Sequence, residues 1–215
     1  MTHAATRVLV LYNDDVTRLA VENDDVESIE AVRGCAIAVA QGLNNQGYVA
    51  EALPAPEDPA ELVAFLRARQ ADMVFNLVES VRGDSRFEAA VSFILELVEQ
   101  PFTGSPPSAQ TIGLHKPVTR GLLIAMGISV APGCVLATGD EPIKLAGPGP
   151  WFVKPSREDA SNGIDGKSVC RTITEVRRRA KRLISTFRQP ALVEAFLDGR
   201  EFNVSILGDG EELRV

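Results

Sequence analysis

The sequence predicts an α/β fold made of a Rossmann-like parallel-sheet unit over residues 1–107 and an α+β unit over residues 108–215. Apolar runs of strand length alternate with segments of helical periodicity in the first half, which favours a mostly parallel sheet with helices on both faces. After Pro106 and Pro107 the pattern changes to short helices and a loop rich in Gly and Pro. With 215 residues, of which 45% are hydrophobic, the chain can form buried cores.

The first unit opens with a continuous apolar run, which is typical of a strand buried on both faces. Asp58 and Pro59 then supply an N-cap and a first helical residue, with Glu61 completing a capping box. Phe87 and Phe93 fall at helical positions where we expect core side chains. The predicted elements are a strand at 7–12, a helix from 29 to a glycine cap at Gly47, strands at 48–53 and 72–78, and helices at 59–69 and 87–98.

The second unit mixes short helices with separated strands. Thr172 and Glu175 predict a capping box at the start of its longest helix. The segment Gly208 to Gly210 signals a hairpin, and the expected return strand reaches the last residue, so this domain looks interrupted. The predicted elements are helices at 108–114, 117–126 and 173–187, and strands at 151–155, 168–171, 191–195 and 201–207.

Composition argues against several classes of protein. The formal charge of −7 disfavours a nucleic-acid-binding surface, and the absence of a Gly-x-Gly-x-x-Gly fingerprint disfavours a dehydrogenase. Three dispersed cysteines, expected to be buried thiols, and two histidines support neither a disulfide framework nor a transition-metal site. The apolar stretch near the N-terminus is too short for a signal sequence or a membrane span. We therefore expect a cytoplasmic protein whose partners are small molecules, with no nucleic acid and no membrane.

Two lysines stand in settings that suit phosphate binding. Lys154 ends a strand and precedes a loop of small polar residues, whose backbone N–H groups can approach an anion. Lys116 stands at a helix start, where the helix dipole disfavours a cation unless an anion compensates for it. Each lysine taken alone also fits an ordinary solvated surface residue.

Glu194 and Glu201 flank an apolar segment that suits a planar heterocycle and a ribose. The heterocycle needs apolar walls, and ribose hydroxyls need a carboxylate acceptor. An edge-strand salt bridge is the open alternative. Glu79 and Arg86 flank a glycine-containing loop at the end of a predicted strand, where α/β ligands commonly bind, and are candidate substrate contacts. The basic run at 175–183 is interpreted as a solvated helix face rather than an anion-binding patch.

Four motifs in order, "VFNLVES", "PFTGSPPSAQTIGLHKPVTRGLLIAMGISVAPG", "FVKPSREDASNGIDGKSV" and "ALVEAFLDGREFNVSILGDG", resemble the D-alanine–D-alanine ligase branch of the ATP-grasp superfamily. The resemblance implies a pre-ATP-grasp domain over 1–107, then the central ATP-grasp subdomain and the beginning of the C-terminal one over 108–215. It implies ATP and Mg²⁺ as cofactors, with the magnesium ligands C-terminal to Val215 and no metal ligand within this chain. The implied ATP contacts are Lys116, Lys154, Ser161, Asn162, Glu194, Ala195, Phe196, Leu197 and Glu201, of which Lys154 and Ser161 would be catalytic.

The resemblance implies an ATP-dependent carboxylate–amine ligase acting through an acyl phosphate on amino-acid or peptide substrates, with a homodimer as a further expectation. Activity is expected of a longer protein rather than of this chain alone. The departures from the family pattern lie on the amino-acid side: Ala160 replaces a serine, and Asp24 aligns only loosely with the acidic residue that contacts the first substrate. The alternatives are a catalytically inactive nucleotide-binding module and, for the first hundred residues alone, a flavodoxin-like regulatory domain.

Overall fold

The computed structural model of the protein describes residues 5–14, 24–143, 147–159, 161–208, 212 and 214, with side chains described from residue 30 onward in the first helix. Helices and strands alternate through the first half, as predicted. The elements are β1 (Arg7–Tyr12), α1 (Asp24–Asn45), β2 (Val49–Pro54), α2 (Pro59–Arg69), β3 (Met73–Leu77), a 3-10 turn (Ser85–Phe87), α3 (Glu88–Leu97), α4 (Pro107–Leu114), α5 (Lys116–Ala125), β4 (Gly133–Leu136), β5 (Trp151–Pro155), β6 (Val169–Cys170), α6 (Ile173–Phe187) and β7 (Ala191–Ala195).

The first sheet is parallel, with the order β2-β1-β3. Its central strand β1 is buried on both faces: Val10 and Tyr12 pack with α1, while Leu9 and Leu11 pack with residues of α2 and α3. Phe102 extends the sheet by a parallel bridge to Val74 on β3. The prediction of a parallel sheet covered by helices on both faces is confirmed.

Helix α2 begins where the sequence predicts and α3 begins one residue later than predicted, whereas α1 begins at Asp24, five residues before its predicted start. Asp58 caps α2 by accepting hydrogen bonds from the backbone N–H groups of Ala60 and Glu61, and Pro59 is the first helical residue. Phe87 and Phe93 are each 52% exposed, so their prediction as core residues is wrong. Phe87 lies in the 3-10 turn before α3, and Phe93 is roughly 200° around the helix from the buried Val91.

The second sheet is antiparallel, with the order β4-β7-β5-β6, and α6 covers one of its faces. Trp151 and Val153 of β5 pack against Val176, Ala180 and Leu183 of α6. Strand alternation therefore places Phe152 and Lys154 on the opposite face. The capping box of Thr172 and Glu175 is confirmed at the start of α6. The boundary near Pro107 stays a prediction; α4 begins there and packs against both α3 and α5.

The segment after β7 differs from the prediction. Residues 201–206 form no regular secondary structure, although the sequence predicts a strand at 201–207. Phe202, Val204 and Ile206 are all more than half exposed, and no strand in the described part of the chain pairs with them. A strand needs such a partner to satisfy its backbone groups. Leu207 does form an isolated antiparallel bridge with Arg214, as the hairpin signal suggests.

Two predictions about the chain as a whole can be compared with the described residues. Of the cysteines, expected to be buried thiols, Cys170 is buried, Cys134 is partly buried and Cys35 is exposed, so the prediction is wrong for Cys35. None of the helices in the described ranges is both long enough and apolar enough to cross a membrane.

Candidate functional site

Two cationic side chains from separate elements bond to the carboxylate of Glu194. The Lys154 ammonium of β5 lies 2.7 Å from one carboxylate oxygen, and the Arg120 guanidinium of α5 bonds to the other. The side chains are only partly accessible, with exposed fractions of 23% for Lys154, 15% for Arg120 and 13% for Glu194. One carboxylate therefore holds two cations at the surface of the second sheet.

The backbone explains this convergence. Phe152 and Glu194 are register partners on β5 and β7, so Lys154, two residues after Phe152, shares the sheet face of Glu194. Gly133 of β4 is the partner of Glu194 on its other side. A Cβ at Gly133 would lie 2.4 Å from the carbonyl oxygen of Val193, so this close approach of β4 to β7 requires a glycine.

Lys116 adds a third cation to this region. It is the first residue of α5, its backbone N–H donates to the Ser156 carbonyl at 3.1 Å, and its ammonium donates to the Glu158 carbonyl. Burial lowers the pKa of Lys116, and the charge of Lys154 lowers it further, against the opposing effects of Asp159, Glu158 and Glu194. Lys116, Arg120 and Lys154 thus lie in one region, where Glu194 is the carboxylate bonded to Arg120 and Lys154, and where Asp159 and Glu158 add further negative charge.

The loop after β5 contains residues in the left-handed backbone region. Ser161 has a φ of 63° and Gly163 a φ of 71°. The Asn162 N–H donates to the Asp159 carbonyl at 2.9 Å, and the Ile164 N–H donates to the Ser161 carbonyl at 2.9 Å. Ser161 and Asn162 are exposed, so both can meet a ligand, although the backbone N–H of Asn162 is satisfied within the loop.

Two polar clusters fasten this loop. The carboxylate of Glu158 accepts hydrogen bonds from Ser85, in the 3-10 turn of the first unit, at 3.0 Å and from Gln189 at 2.6 Å. Further along, the buried Arg179 donates to Asp165 at 3.0 Å and to the Gly163 carbonyl at 2.8 Å. The loop is therefore attached both to the first unit and to α6.

The segment after Glu194 forms an apolar wall beside the lysines. The Ala195 N–H donates to the Pro132 carbonyl and the Phe196 N–H to the Pro150 carbonyl. The rings of Phe152 and Phe196 stack with centroids 6.3 Å apart, and the Lys154 ammonium lies 5.9 Å from the Phe152 centroid. Leu197 is 70% exposed. Together these residues present an open aromatic and aliphatic surface next to a positive cluster.

The structure does not bring Glu201 into this arrangement. Glu201 is exposed, and none of its contacts within the described residues reaches the lysines or Glu194. It follows Arg200 in the segment without regular secondary structure. Its predicted role on a ribose stays a prediction.

The predicted substrate contacts have different surroundings. Asp24 is the first residue of α1, but its side chain lies outside the described residues. Arg86 is held by Asp84 through three guanidinium hydrogen bonds, at 2.6, 2.9 and 3.1 Å. Glu79 follows β3, and its backbone N–H donates to Asn13 at 2.9 Å.

Carboxylates of the first unit face the loop after β5. Partial loss of hydration raises the pKa of Glu79, and the charge of Asp159 raises it further. Burial raises the pKa of Glu88 to about 7, with additional contributions from Asp159 and Glu79. The first unit therefore places negative charge near Asp159, which belongs to the same loop as Ser161.

Sequence reasoning missed Arg120 and Glu88. Arg120 lies four residues after Lys116, a spacing that puts both cations on one side of α5, and this signal could have identified it. Glu88 carries no local signal, because its environment depends on Asp159, far away in the sequence. Among the described residues, no group of three or more His, Cys, Asp or Glu side chains could hold a metal ion.

The chain is similar to D-alanine–D-alanine ligases in sequence and in structure. It is 31% identical over 172 residues to the D-alanine–D-alanine ligase of Gluconobacter oxydans, an alignment that covers 80% of this chain and 54% of the relative. Two solved structures match its fold. The ATP complex of the D-alanine–D-alanine ligase of Bacillus anthracis has a TM-score of 0.63 and 17% identity, and the match covers 92% of this chain and 58% of that one. D-alanyl-alanine synthetase A of Vibrio cholerae has a TM-score of 0.68 and 16% identity, and the match covers 98% of this chain and 66% of that one.

No protein-family profile matches the chain. The parallel sheet, the antiparallel sheet and the structural matches together define an ATP-grasp fold. Within that fold, the sequence is similar to those of the D-alanine–D-alanine ligases. It spans about half the length of the curated relatives that it matches.

Proposed function

We propose that this chain is the nucleotide-binding part of an ATP-dependent carboxylate–amine ligase. The observation that carries the proposal is the convergence of Lys116, Arg120 and Lys154 around Glu194, directly beside the exposed wall of Phe196 and Leu197. A nucleotide needs both features, since its phosphates require cations and its base requires an apolar surface. The homology to D-alanine–D-alanine ligases supports the same class of reaction.

On the phosphate side, Lys116 and Lys154 would bind phosphate oxygens, and Arg120 is a third donor. Lys154 is bonded to Glu194 in this structure, so binding would exchange or share that contact. Ser161 and Asn162 would contact the phosphates from the loop above. Because phosphoryl transfer depends mainly on positioning and charge stabilisation, a cluster of fixed cations is the contribution expected of the protein.

On the base side, Ala195, Phe196 and Leu197 would form the adenine pocket. The stacked rings of Phe152 and Phe196 hold one wall of this pocket in place. The backbone hydrogen bonds of Ala195 to Pro132 and of Phe196 to Pro150 fix the path of the segment. Glu201 would accept hydrogen bonds from the ribose hydroxyls after the segment that follows β7 becomes ordered on the ligand.

A substrate carboxylate would attack the γ-phosphorus of bound ATP and release ADP, giving an acyl phosphate. An amine would then attack the acyl carbon, forming the amide bond and releasing inorganic phosphate and a proton. The lysines would stabilise the charge of the transferring group, and the loop at 156–167 would keep water away from the activated carboxylate. Mg²⁺ would bind together with the phosphates of ATP, since among the described residues no group of three or more His, Cys, Asp or Glu side chains could hold a metal ion.

The substrates proposed are small amino acids or peptides bound at the carboxyl ends of the first sheet. A cavity of about 240 Å³ lies there, lined by residues that include Asn13, Asp14 and Ser80. Glu79 and Glu88 would attract the ammonium group of an amino acid toward Asp159. Arg86 is less suited to bind a substrate carboxylate, because Asp84 already occupies its guanidinium.

The alternative is a nucleotide-binding module without ligase activity. The observation that favours it is Ala160, which provides no hydroxyl where the resembled ligases carry a serine. This alternative requires the same ATP site, and differs only in the fate of the nucleotide.

Photolabelling with 8-azido-ATP tests the proposed site. We expect a cross-link within residues 195–197 that excess ATP prevents, that Lys154→Ala weakens and that the remote Arg67→Ala leaves unchanged. A cross-link confined to other segments would refute the site. With a longer protein that spans the length of the relatives, release of ADP and phosphate in the presence of amino-acid mixtures would support the ligase, whereas labelling at 195–197 without release from any mixture would favour the binding module.

A further inference from the structure

A second cationic site lies on the other side of the antiparallel sheet. A groove of about 460 Å³ runs between the edge strand β6 and helix α6. The α6 side of β5 carries Trp151 and Val153, whereas Lys154 points to the opposite face. The groove is therefore separate from the candidate nucleotide site. Its charged lining residues are Lys167, Arg171, Glu175, Arg178, Arg179 and Arg182.

The single carboxylate in the groove is already engaged. Glu175 accepts hydrogen bonds from the backbone N–H groups of Arg171, at 2.7 Å, and of Thr172, at 3.2 Å, as part of the helix cap. The Glu175 carboxylate is thereby bonded to backbone N–H groups at the start of α6. Five cationic side chains consequently share a groove in which one carboxylate is committed to the backbone.

One of the five cations is rigidly placed and two are available. Arg179 is 7% exposed and is fixed by Asp165, the Gly163 carbonyl and the Ser168 hydroxyl. Arg171 and Arg178 are exposed, and within the described ranges neither forms an ion pair with a carboxylate. Arginine guanidinium groups bind phosphate and carboxylate groups in a bidentate manner, so these two can engage an anion, which for Arg178 competes with the charge of Glu175.

The location of the charge distinguishes this groove from an ordinary solvated helix face. The whole chain has a formal charge of −7, so the groove is an exception to the overall charge. Its cations come from two elements, since Lys167 and Arg171 flank β6 while Arg178 and Arg182 belong to α6. A concave surface lined by one sign of charge concentrates the field and attracts counter-ions. Its volume also lies in the range of about 300–1,000 Å³ that is typical of small-molecule sites.

We propose that this groove binds a small polyanion with two or more phosphate or carboxylate groups. The inference does not require the proposed ligase function, because Arg171 and Arg178 lie outside the nucleotide site. Lys167 and Arg179 connect the groove to that site, since Lys167 belongs to the loop at 156–167 and Arg179 bonds to the same loop. Arg171 and Arg178 would contact the anion directly, and Arg179 would provide a fixed positive charge beneath it.

Calorimetric titration at low salt with pyrophosphate and with citrate tests the proposal, using Lys154→Ala protein so that the nucleotide site is weakened. We expect saturable binding of at least one probe, weakened tenfold or more by the double change Arg171→Ala and Arg178→Ala. The control pair Arg33→Ala and Arg67→Ala removes the same charge from exposed helical positions of the first unit, and should change the affinity less than twofold. The tighter probe identifies the anionic group.

Amide chemical shifts provide the second measurement. The probe should perturb residues 167–182 in the parent protein, which locates the binding site without the use of variants. Absence of saturable binding by both probes would overturn the proposal. An equal loss of affinity in the control pair, or shift changes centred on Lys116, would overturn it as well.

Discussion

Replacing Gly133 with alanine perturbs both the second sheet and the carboxylate that the candidate site is built around. The added Cβ would lie 2.4 Å from the Val193 carbonyl oxygen and 3.1 Å from the Cα and Cγ atoms of Glu194. Reaching an ordinary contact of 3.4 Å requires β4 and β7 to separate by about 1 Å. The first contact is with backbone, so rotation of a side chain cannot relieve it.

Overpacking of this kind costs about 1–3 kcal/mol, and we expect that loss in the free energy of unfolding measured by urea denaturation. Because Glu194 holds Lys154 and Arg120, we also expect the affinity for ATP to fall at least threefold. The control is Gly34→Ala in α1, where the new Cβ meets nothing within 4 Å. It should leave ATP binding unchanged and stabilise the helix by up to about 1 kcal/mol. Unchanged stability and affinity in Gly133→Ala would refute the proposed constraint.

Two further predictions concern the helix cap and the pH dependence. Thr172→Ala should lower the free energy of unfolding by about 1 kcal/mol, because the Thr172 hydroxyl accepts a hydrogen bond from the Glu175 N–H. Thr172→Ser keeps a hydroxyl and should retain most of this stability. An equal loss in both variants would contradict the capping role. The pKa of Glu88 is raised from 4.5 to about 7, so between these values the folded state binds more protons than the unfolded state, and stability should fall as the pH rises through this window. Glu88→Gln should reduce the difference between the free energies of unfolding that urea titrations give at pH 5 and pH 7.5. The control Glu96→Gln, at an exposed position of the same helix, should leave that difference unchanged. An identical pH dependence of stability in the parent and both variants would exclude Glu88 as the cause.

The fold could be predicted wherever local pattern and tertiary environment agree. The apolar run of β1 indicates burial on both faces, and Leu9 and Val10 are fully buried on opposite sides. The capping residues Asp58 and Thr172 act within three residues of themselves, so the sequence contains their whole environment. These features require no knowledge of distant contacts.

The failures occur where distant contacts decide the structure. The four-residue strand β4 was missed because Pro132 and Gly133 indicate a loop, and only pairing with β7 makes the segment a strand. Conversely, the apolar pattern of segment 201–207 is typical of a strand, but no strand among the described residues pairs with it. Pairing therefore determines both outcomes, and local composition does not reveal it.

Contacts between residues that are distant in sequence also limit how much of the candidate site the sequence predicts. Lys116, Lys154 and Glu194 were identified from their local settings and from a family resemblance, and the structure brings them into one region. Arg120 bonds to Glu194 across 74 residues of sequence, so only its helical spacing from Lys116 hinted at a role. The link between Ser85 and Glu158 spans 73 residues and had no sequence signal.

Calorimetric titration with ATP in the presence of Mg²⁺ tests whether the cations around Glu194 form the nucleotide site. We expect saturable binding that Lys154→Ala and Glu194→Ala each weaken tenfold or more, which corresponds to about 1.4 kcal/mol, while Arg67→Ala leaves it unchanged. Binding of equal strength in all four proteins would contradict the claim that the cations around Glu194 form the nucleotide site.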